Sequence, residues 1–146
     1  MAVCVAVIDS QNAPVLVECA NDNNDVQLQL HYTVHSSLDV VDEKLAQQTN
    51  STSRATDLRE LYLGMLIAND QHKVYGYATN TKVKFIIVVD LANSSIKDQD
   101  MRVIFKRLHA AYCDTVCNPF YVPGQMSEQQ LGALRKTARE IFSKTR

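Results

Sequence analysis

The sequence predicts an α+β fold: one sheet between helices, in the order ββαβββαα. The sheet is expected to be five-stranded and mixed, with one helix on one face and two on the other. Three observations predict this. The segments AVCVAVI (Ala2–Ile8) and VKFIIVVD (Val83–Asp90) are apolar on both sides of the pleat, as strands covered on both faces must be. Three stretches repeat apolar residues at helical spacing, and three strand-like segments follow one another with only short turns between them. The chain of 146 residues is long enough to close one core, so residues 1–146 are expected to form a single domain.

The elements follow in order. Ala2–Ile8 reads as a strand, Asp9–Pro14 as a turn, and Val15–Glu18 as the returning strand of a hairpin. NDNND (Asn21–Asp25) ends in residues able to cap a helix. Leu30, Val34, Leu38, Val41 and Leu45, at spacings of four, four, three and four, then mark one apolar helical stripe. QQTNSTSRATD (Gln47–Asp57) has no periodicity and reads as a mobile loop or a frayed extension of the helix, a flexible insert at about residues 48–57. Leu61–Ala68, Lys73–Thr79 and Val83–Asp90 form a meander, with Ala2–Ile8 and Val83–Asp90 predicted as its middle strands once the sheet is complete. In Lys73–Thr79 the pleat puts Val74, Gly76 and Ala78 on one face, open to close approach by a helix. Tyr75 and Tyr77 fall on the other, as core or as a partner surface. Ser95 with Asp98 resembles a capping box ahead of a helix carrying Met101, Ile104, Phe105, Leu108, Tyr112 and Val116. Ser127 with Gln130 is a second such box, ahead of Leu131, Leu134, Ala138, Ile141 and Phe142.

Charge and cysteine content narrow the function. A formal charge of −1 exerts no sequence-wide pull on nucleic acid or anionic lipid. MAVCVAVI is too short and lacks the basic residues of a secretory leader, so Cys4, Cys19, Cys113 and Cys117 are expected to be reduced thiols in a cytoplasmic chain. No stretch reaches membrane-spanning length. Four glycines, none in a phosphate-binding context, argue against a nucleotide site.

Several constellations invite a chemical reading. His109, Cys113 and Cys117 lie four apart on one helix, as zinc or thiol chemistry would use them, but the fourth ligand is missing and packing is the expected role. His31, His35, Asp39 and Glu43 form a second four-residue ladder. It lacks a third ligating element, and its default reading is a solvated polar flank. No catalytic, cofactor or metal residues are therefore assigned, and the chain is not expected to be an enzyme. Basic residues in the last helix, Arg135 and Arg139 among them, suggest either a solvated face or contact with a membrane surface. CNPFYVPG (Cys117–Gly124) contains an Asn-Pro-Phe-Tyr run that looks like a sorting signal. Between two helices it reads instead as a helix stop, with Asn118 as a left-handed cap, Pro119 barring continuation, and Phe120 and Tyr121 packing the exit.

The blocks MAVCVAVI, VHSSLDVVDEK, RELYLG, KVYGYATNTKVKFIIVVD and CNPFYVPG closely resemble the sedlin family of trafficking protein particle (TRAPP) complex subunits. The resemblance covers Met1–Pro14, Leu28–Lys44, Arg59–Asp90 and Met101–Gly124; Gln48–Asp57 and Gln125–Arg146 depart from the pattern. It implies a longin-like (sedlin/SNARE-like) fold and a non-catalytic small subunit of a vesicle-tethering complex in ER–Golgi and Golgi transport. The implied partners are other small subunits, large scaffold subunits and, indirectly, a Rab-family GTPase, with no nucleic acid. Peripheral association with endoplasmic reticulum and Golgi membranes would come through the complex, giving a cytoplasmic and perinuclear chain. Asp39, in SLDVVDEK, matches an aspartate at an inter-subunit contact of that family. The expected protein-interface residues are accordingly Leu38, Asp39 and Glu43, on a docking face of the first helix. The rival reading is a longin-type small subunit of another vesicle coat or adaptor. A longin-type SNARE would need a heptad coiled coil after the domain, which one further helix does not supply.

Overall fold

Strands that are apolar on both faces need cover from both sides, and the two longest such runs lie side by side at the middle of the sheet. The computed structural model describes residues 2–50, 62–93, 96–122 and 126–144. Among them the elements are β1 (Ala2–Ile8), β2 (Pro14–Cys19), α1 (Asn24–Asn50), β3 (Tyr62–Ala68), β4 (His72–Ala78), β5 (Lys84–Asp90), α2 (Asp98–Val116) and α3 (Glu128–Lys144). A short 3-10 turn, Leu91–Asn93, follows β5.

The strand order is β2-β1-β5-β4-β3, and every pairing is antiparallel. The expectation of a mixed sheet is therefore corrected. A helical crossover such as α1 joins strands that point the same way, here β2 and β3. Those two strands lie at opposite margins of the sheet, so their common direction never becomes a parallel pair.

The pleat divides the apolar residues between two layers. Val5, Val7, Phe85, Ile87, Val89, Tyr75 and Tyr77 pack with Met101, Phe105 and Leu108 of α2 and with Leu134, Ala138 and Ile141 of α3. Cys4, Ala6, Ile8, Ile86, Val88 and Val74 pack with Leu30, Val34 and Leu38 of α1. The tyrosines of β4 are thus core. Tyr77 stacks on Phe105 at 5.6 Å between ring centroids, and Tyr62 meets the same ring at 5.9 Å. The Val74–Ala78 face does receive α1, Val74 meeting Leu30, Val34 and Leu38 and Ala78 meeting Val41, while the closest neighbour of Gly76 itself is a side chain of the sheet. A Cβ built there would stand 2.6 Å from Cδ1 of Leu66 on the adjacent strand.

Local hydrogen bonds explain where elements begin. Asn23 caps α1, its Oδ1 accepting from the Asp25 amide at 3.1 Å. Ser127 and Gln130 form the expected reciprocal box: the Ser127 amide donates to Gln130 Oε1 at 3.0 Å, and the Gln130 amide to Ser127 Oγ at 3.4 Å. At α2 the cap position is Lys97, whose side chain makes no capping hydrogen bond; the expected box there falls on Ser95, which lies outside the described residues. At its far end α1 runs on to Asn50, so of the two expected outcomes Gln47–Asn50 take the helix extension and not the loop. Residues 51–57 lie outside the described residues.

Two lysines tie α1 to the sheet. Lys44 Nζ donates to the carbonyls of Leu63 (3.2 Å) and Met65 (2.9 Å), which flank Gly64 in a bulge of the marginal strand β3, where φ is +77°. Lys84, on central β5, is only 4% exposed. Its Nζ donates to Asp42 of α1 at 2.7 Å and to Asn12 in the β1–β2 turn at 2.5 Å. That turn is held by Asp9, whose Oδ1 accepts from the amides of Gln11 and Ala13, and Asn12 sits at φ +60°.

Candidate interaction surface

A helix that buries one stripe against a sheet must show another to its surroundings. On α1 the outward stripe runs through Leu28, Tyr32, His35, Asp39, Glu43 and Ala46, all exposed. Asp39 and Glu43 thus stand on the outer face, Glu43 accepting a 3.4 Å hydrogen bond from Gln47 one turn on. Leu38 does not join them. It is 6% exposed and packs between Leu30, Val34 and the sheet. The structure therefore removes Leu38 from the expected interface: it belongs to the same stripe as Leu30 and Val34, one residue but about 100° round the helix from Asp39.

The outward stripe carries two residues that sequence reasoning did not single out. Leu28 is 72% exposed and Tyr32 76%, an apolar pair one turn apart. Together they border a groove of about 750 Å³ between the first turns of α1 and the β3–β4 turn, whose far wall is Asn69–His72. Exposed large apolar side chains in contiguity are uncommon on a surface that meets only water. Their signal was available: Leu28 and Tyr32 lie four apart and directly opposite the buried stripe.

The other sequence candidates separate into packing and surface. His109 and the two cysteines do not converge into a ligand set; Cys113 and Cys117 are exposed, and His109 faces the sheet. Its Nδ1 lies 3.1 Å from the Tyr77 hydroxyl, and burial holds its pKa below the usual imidazole value. Among the described residues no group of three His, Cys, Asp or Glu side chains is placed to hold a metal ion. His35 lies in the outward stripe of α1 and His31 beside it, and among the described residues they too find no third ligand.

Part of the basic character of α3 is neutralised internally. Arg139 Nε reaches Glu18 of β2 at 3.1 Å and Arg135 Nε the same carboxylate at 3.9 Å, while Arg107 of α2 pairs with Glu140. Arg102 lies 4.8 Å over the ring of Tyr62. Among the described residues no helix is long and apolar enough to cross a membrane.

The Asn-Pro-Phe-Tyr run does end a helix, by a route that differs from the expected one. Asn118 is not left-handed; Cys117 is the C-cap, in right-handed geometry. Asn118 Oδ1 instead accepts from the Phe120 amide at 3.0 Å, and its carbonyl from the Tyr121 amide at 2.9 Å. That turn throws Phe120 outward to 85% exposure, so only Tyr121 packs back, beside Tyr112. Burial, then Tyr121, push the Tyr112 hydroxyl up to about 12.

Comparison with known proteins agrees with this architecture. The Sedlin family profile matches residues 7–144, and so extends through most of the C-terminal stretch that departs from the blocks above. The trafficking protein particle complex subunit 2-like protein of Xenopus tropicalis is 52% identical over 124 residues, covering 85% of this chain and 86% of its own. Its namesake in Bos taurus is 49% identical over the same shares. That of Dictyostelium discoideum is 41% identical over 130 residues, covering 88% of each.

Proposed function

The chain belongs to the sedlin family, and from that membership we propose that it is a subunit of a trafficking protein particle complex acting in vesicle transport. It is a non-catalytic small subunit, folded as one longin-like domain, that joins other small subunits to large scaffold subunits. The complex it supports promotes nucleotide exchange on a Rab-type GTPase in ER–Golgi and Golgi traffic. The subunit reaches those membranes from the cytoplasm through the complex.

The observation that carries this reading is the outward stripe of α1. A surface that sets Leu28 and Tyr32 on one stripe with exposed Asp39 and Glu43 has the make-up of a protein contact: apolar anchors with charged residues that fix register. Asp39 and Glu43 form the polar part of the docking face, and Leu38 holds the helix to the sheet beneath it. A partner donor is expected to meet the Asp39 carboxylate, since a charge covered on assembly needs one.

The test is Asp39→Tyr in a tagged chain. Because Asp39 is exposed, the isolated chain is expected to keep its wild-type thermal midpoint. Affinity for its complex is expected to fall by about 2 kcal/mol, roughly thirty-fold, as for an interface residue of real weight. Undiminished recovery of the other complex subunits with the folded variant would remove this face from the interface.

A further inference from the structure

Cys4 and Cys19 oppose each other across the β1–β2 pair, with their Sγ atoms 3.5 Å apart. The Ala20 amide donates to the Val3 carbonyl at 2.9 Å, so Val3 and Ala20 form a hydrogen-bonded pair. The next pair inward, Cys4 with Cys19, is then of the non-hydrogen-bonded kind, in which Cα atoms approach to about 4.5 Å and side chains lie closest. That separation is inside the window in which a disulfide closes without moving the backbone. We propose that Cys4 and Cys19 are a thiol-modification site that takes a small-molecule disulfide as co-substrate and closes to a cross-strand disulfide.

The two thiols are unequal in a way that assigns their roles. Cys19 lies on the marginal strand β2 and is half-buried, so a small reagent reaches it; Cys4 is buried beneath α1 in the layer of Leu30 and Val34. The hydrogen bond between the two sulfurs holds Cys19 below the usual thiol value, against burial and the nearby Glu18 carboxylate, which act the other way. The same hydrogen bond, with burial, keeps Cys4 protonated. Cys19 is therefore the attacking thiolate and Cys4 the resolving thiol.

In the first step the Cys19 thiol loses its proton to water. Its sulfur bonds to one sulfur of the reagent, and the other leaves as a thiolate. In the second, Cys4 loses its proton and its sulfur attacks Sγ of Cys19, expelling the remaining half of the reagent. Two protein thiols are oxidised to one disulfide, and one reagent disulfide is reduced to two thiols. Cys4 needs no access to solvent, because its target is brought to it.

The probe is 2-hydroxyethyl disulfide, which is uncharged and so is not turned away by Glu18. It is applied to the folded chain carrying Cys113→Ser and Cys117→Ser, which removes the exposed thiols and leaves the pair untouched. The expected product is a monomer whose intact mass has lost two hydrogens, with no reagent retained and Cys4 joined to Cys19 in peptide mapping. Adding Cys4→Ser is expected to trap one reagent moiety on Cys19. A lasting adduct on Cys19 while Cys4 is present would overturn the proposal. So would a pair that reacts only after unfolding in urea.

Discussion

Lys84 permits a prediction with an asymmetric outcome. Its side chain is 5% exposed, whereas its partner Asp42 is 52% exposed. Removing Asp42 leaves an ammonium in the interior with, among the described residues, the Asn12 amide oxygen to meet it, and a buried charge stripped of its counter-ion costs about 3–5 kcal/mol. Because Asn12 remains at 2.5 Å, the lower end is expected, about 3 kcal/mol for Asp42→Ala. In a chain of this size that lowers the thermal midpoint by roughly 6–12 °C. Removing Lys84 instead strands nothing, since Asp42 and Asn12 can both turn to water. Lys84→Met also keeps most of the stem volume and places it among apolar neighbours. It is expected to stay within about 1 kcal/mol of wild type, because exchanging a buried ion for a fitting hydrophobe is often neutral or favourable. Urea unfolding of both variants and of the double variant, with the denaturant slope held constant, measures all three. The double variant is expected to recover most of what Asp42→Ala loses. Equal losses for the two single variants would show that Lys84 is not the desolvated partner, and the reasoning would fail.

Two further outcomes follow from the same structure. The His109 imidazole titrates below its usual 6.5 when folded, so the unfolded chain binds more protons in the interval just beneath that value. Its contribution is therefore complete above pH 6.5 and declines as pH falls from there toward the folded value; the stability difference between wild type and His109→Phe, measured by urea unfolding across pH 5–8, is expected to be flat on the alkaline side and to shrink on the acid side. Ser127→Ala breaks one half of the α3 capping box and is expected to cost about 1 kcal/mol, read as a lower urea midpoint with unchanged slope.

What could be read in advance was what depends on near neighbours in sequence. VKFIIVVD declared a strand covered on both faces because its apolar residues fall on both sides of the pleat, and Leu30, Val34 and Leu38 declared the buried stripe of α1 by spacing alone. Asn23 and the Ser127–Gln130 box were legible because capping spans only a few residues. The inner role of Lys84 was not, since its partners are 42 and 72 residues away. A lysine inside an apolar run carries no local sign of which charge will meet it. Gln47–Asn50 left loop and helix extension both open for the opposite reason: a polar stretch with no apolar period can still prolong a helix already begun. At the site, Asp39 and Glu43 were correctly offset from the buried stripe, whereas Leu38, adjacent in the chain to Asp39, was grouped with it although a helix turns neighbours to different sides. Phe120 was misjudged because the Asn118 turn, which aims it outward, is a matter of two hydrogen bonds rather than of hydropathy.

The ammonium resting on the carbonyls beside Gly64 has a bearing on how copies of this chain can and cannot associate. An incoming peptide seeking to extend the sheet past Tyr62–Ala68 would find two acceptors already occupied and the backbone kinked between them. Growth by strand addition, the usual route to fibrous aggregates, is obstructed at that border. At that margin, contact with a neighbour is left to side chains, where shape and charge can choose it.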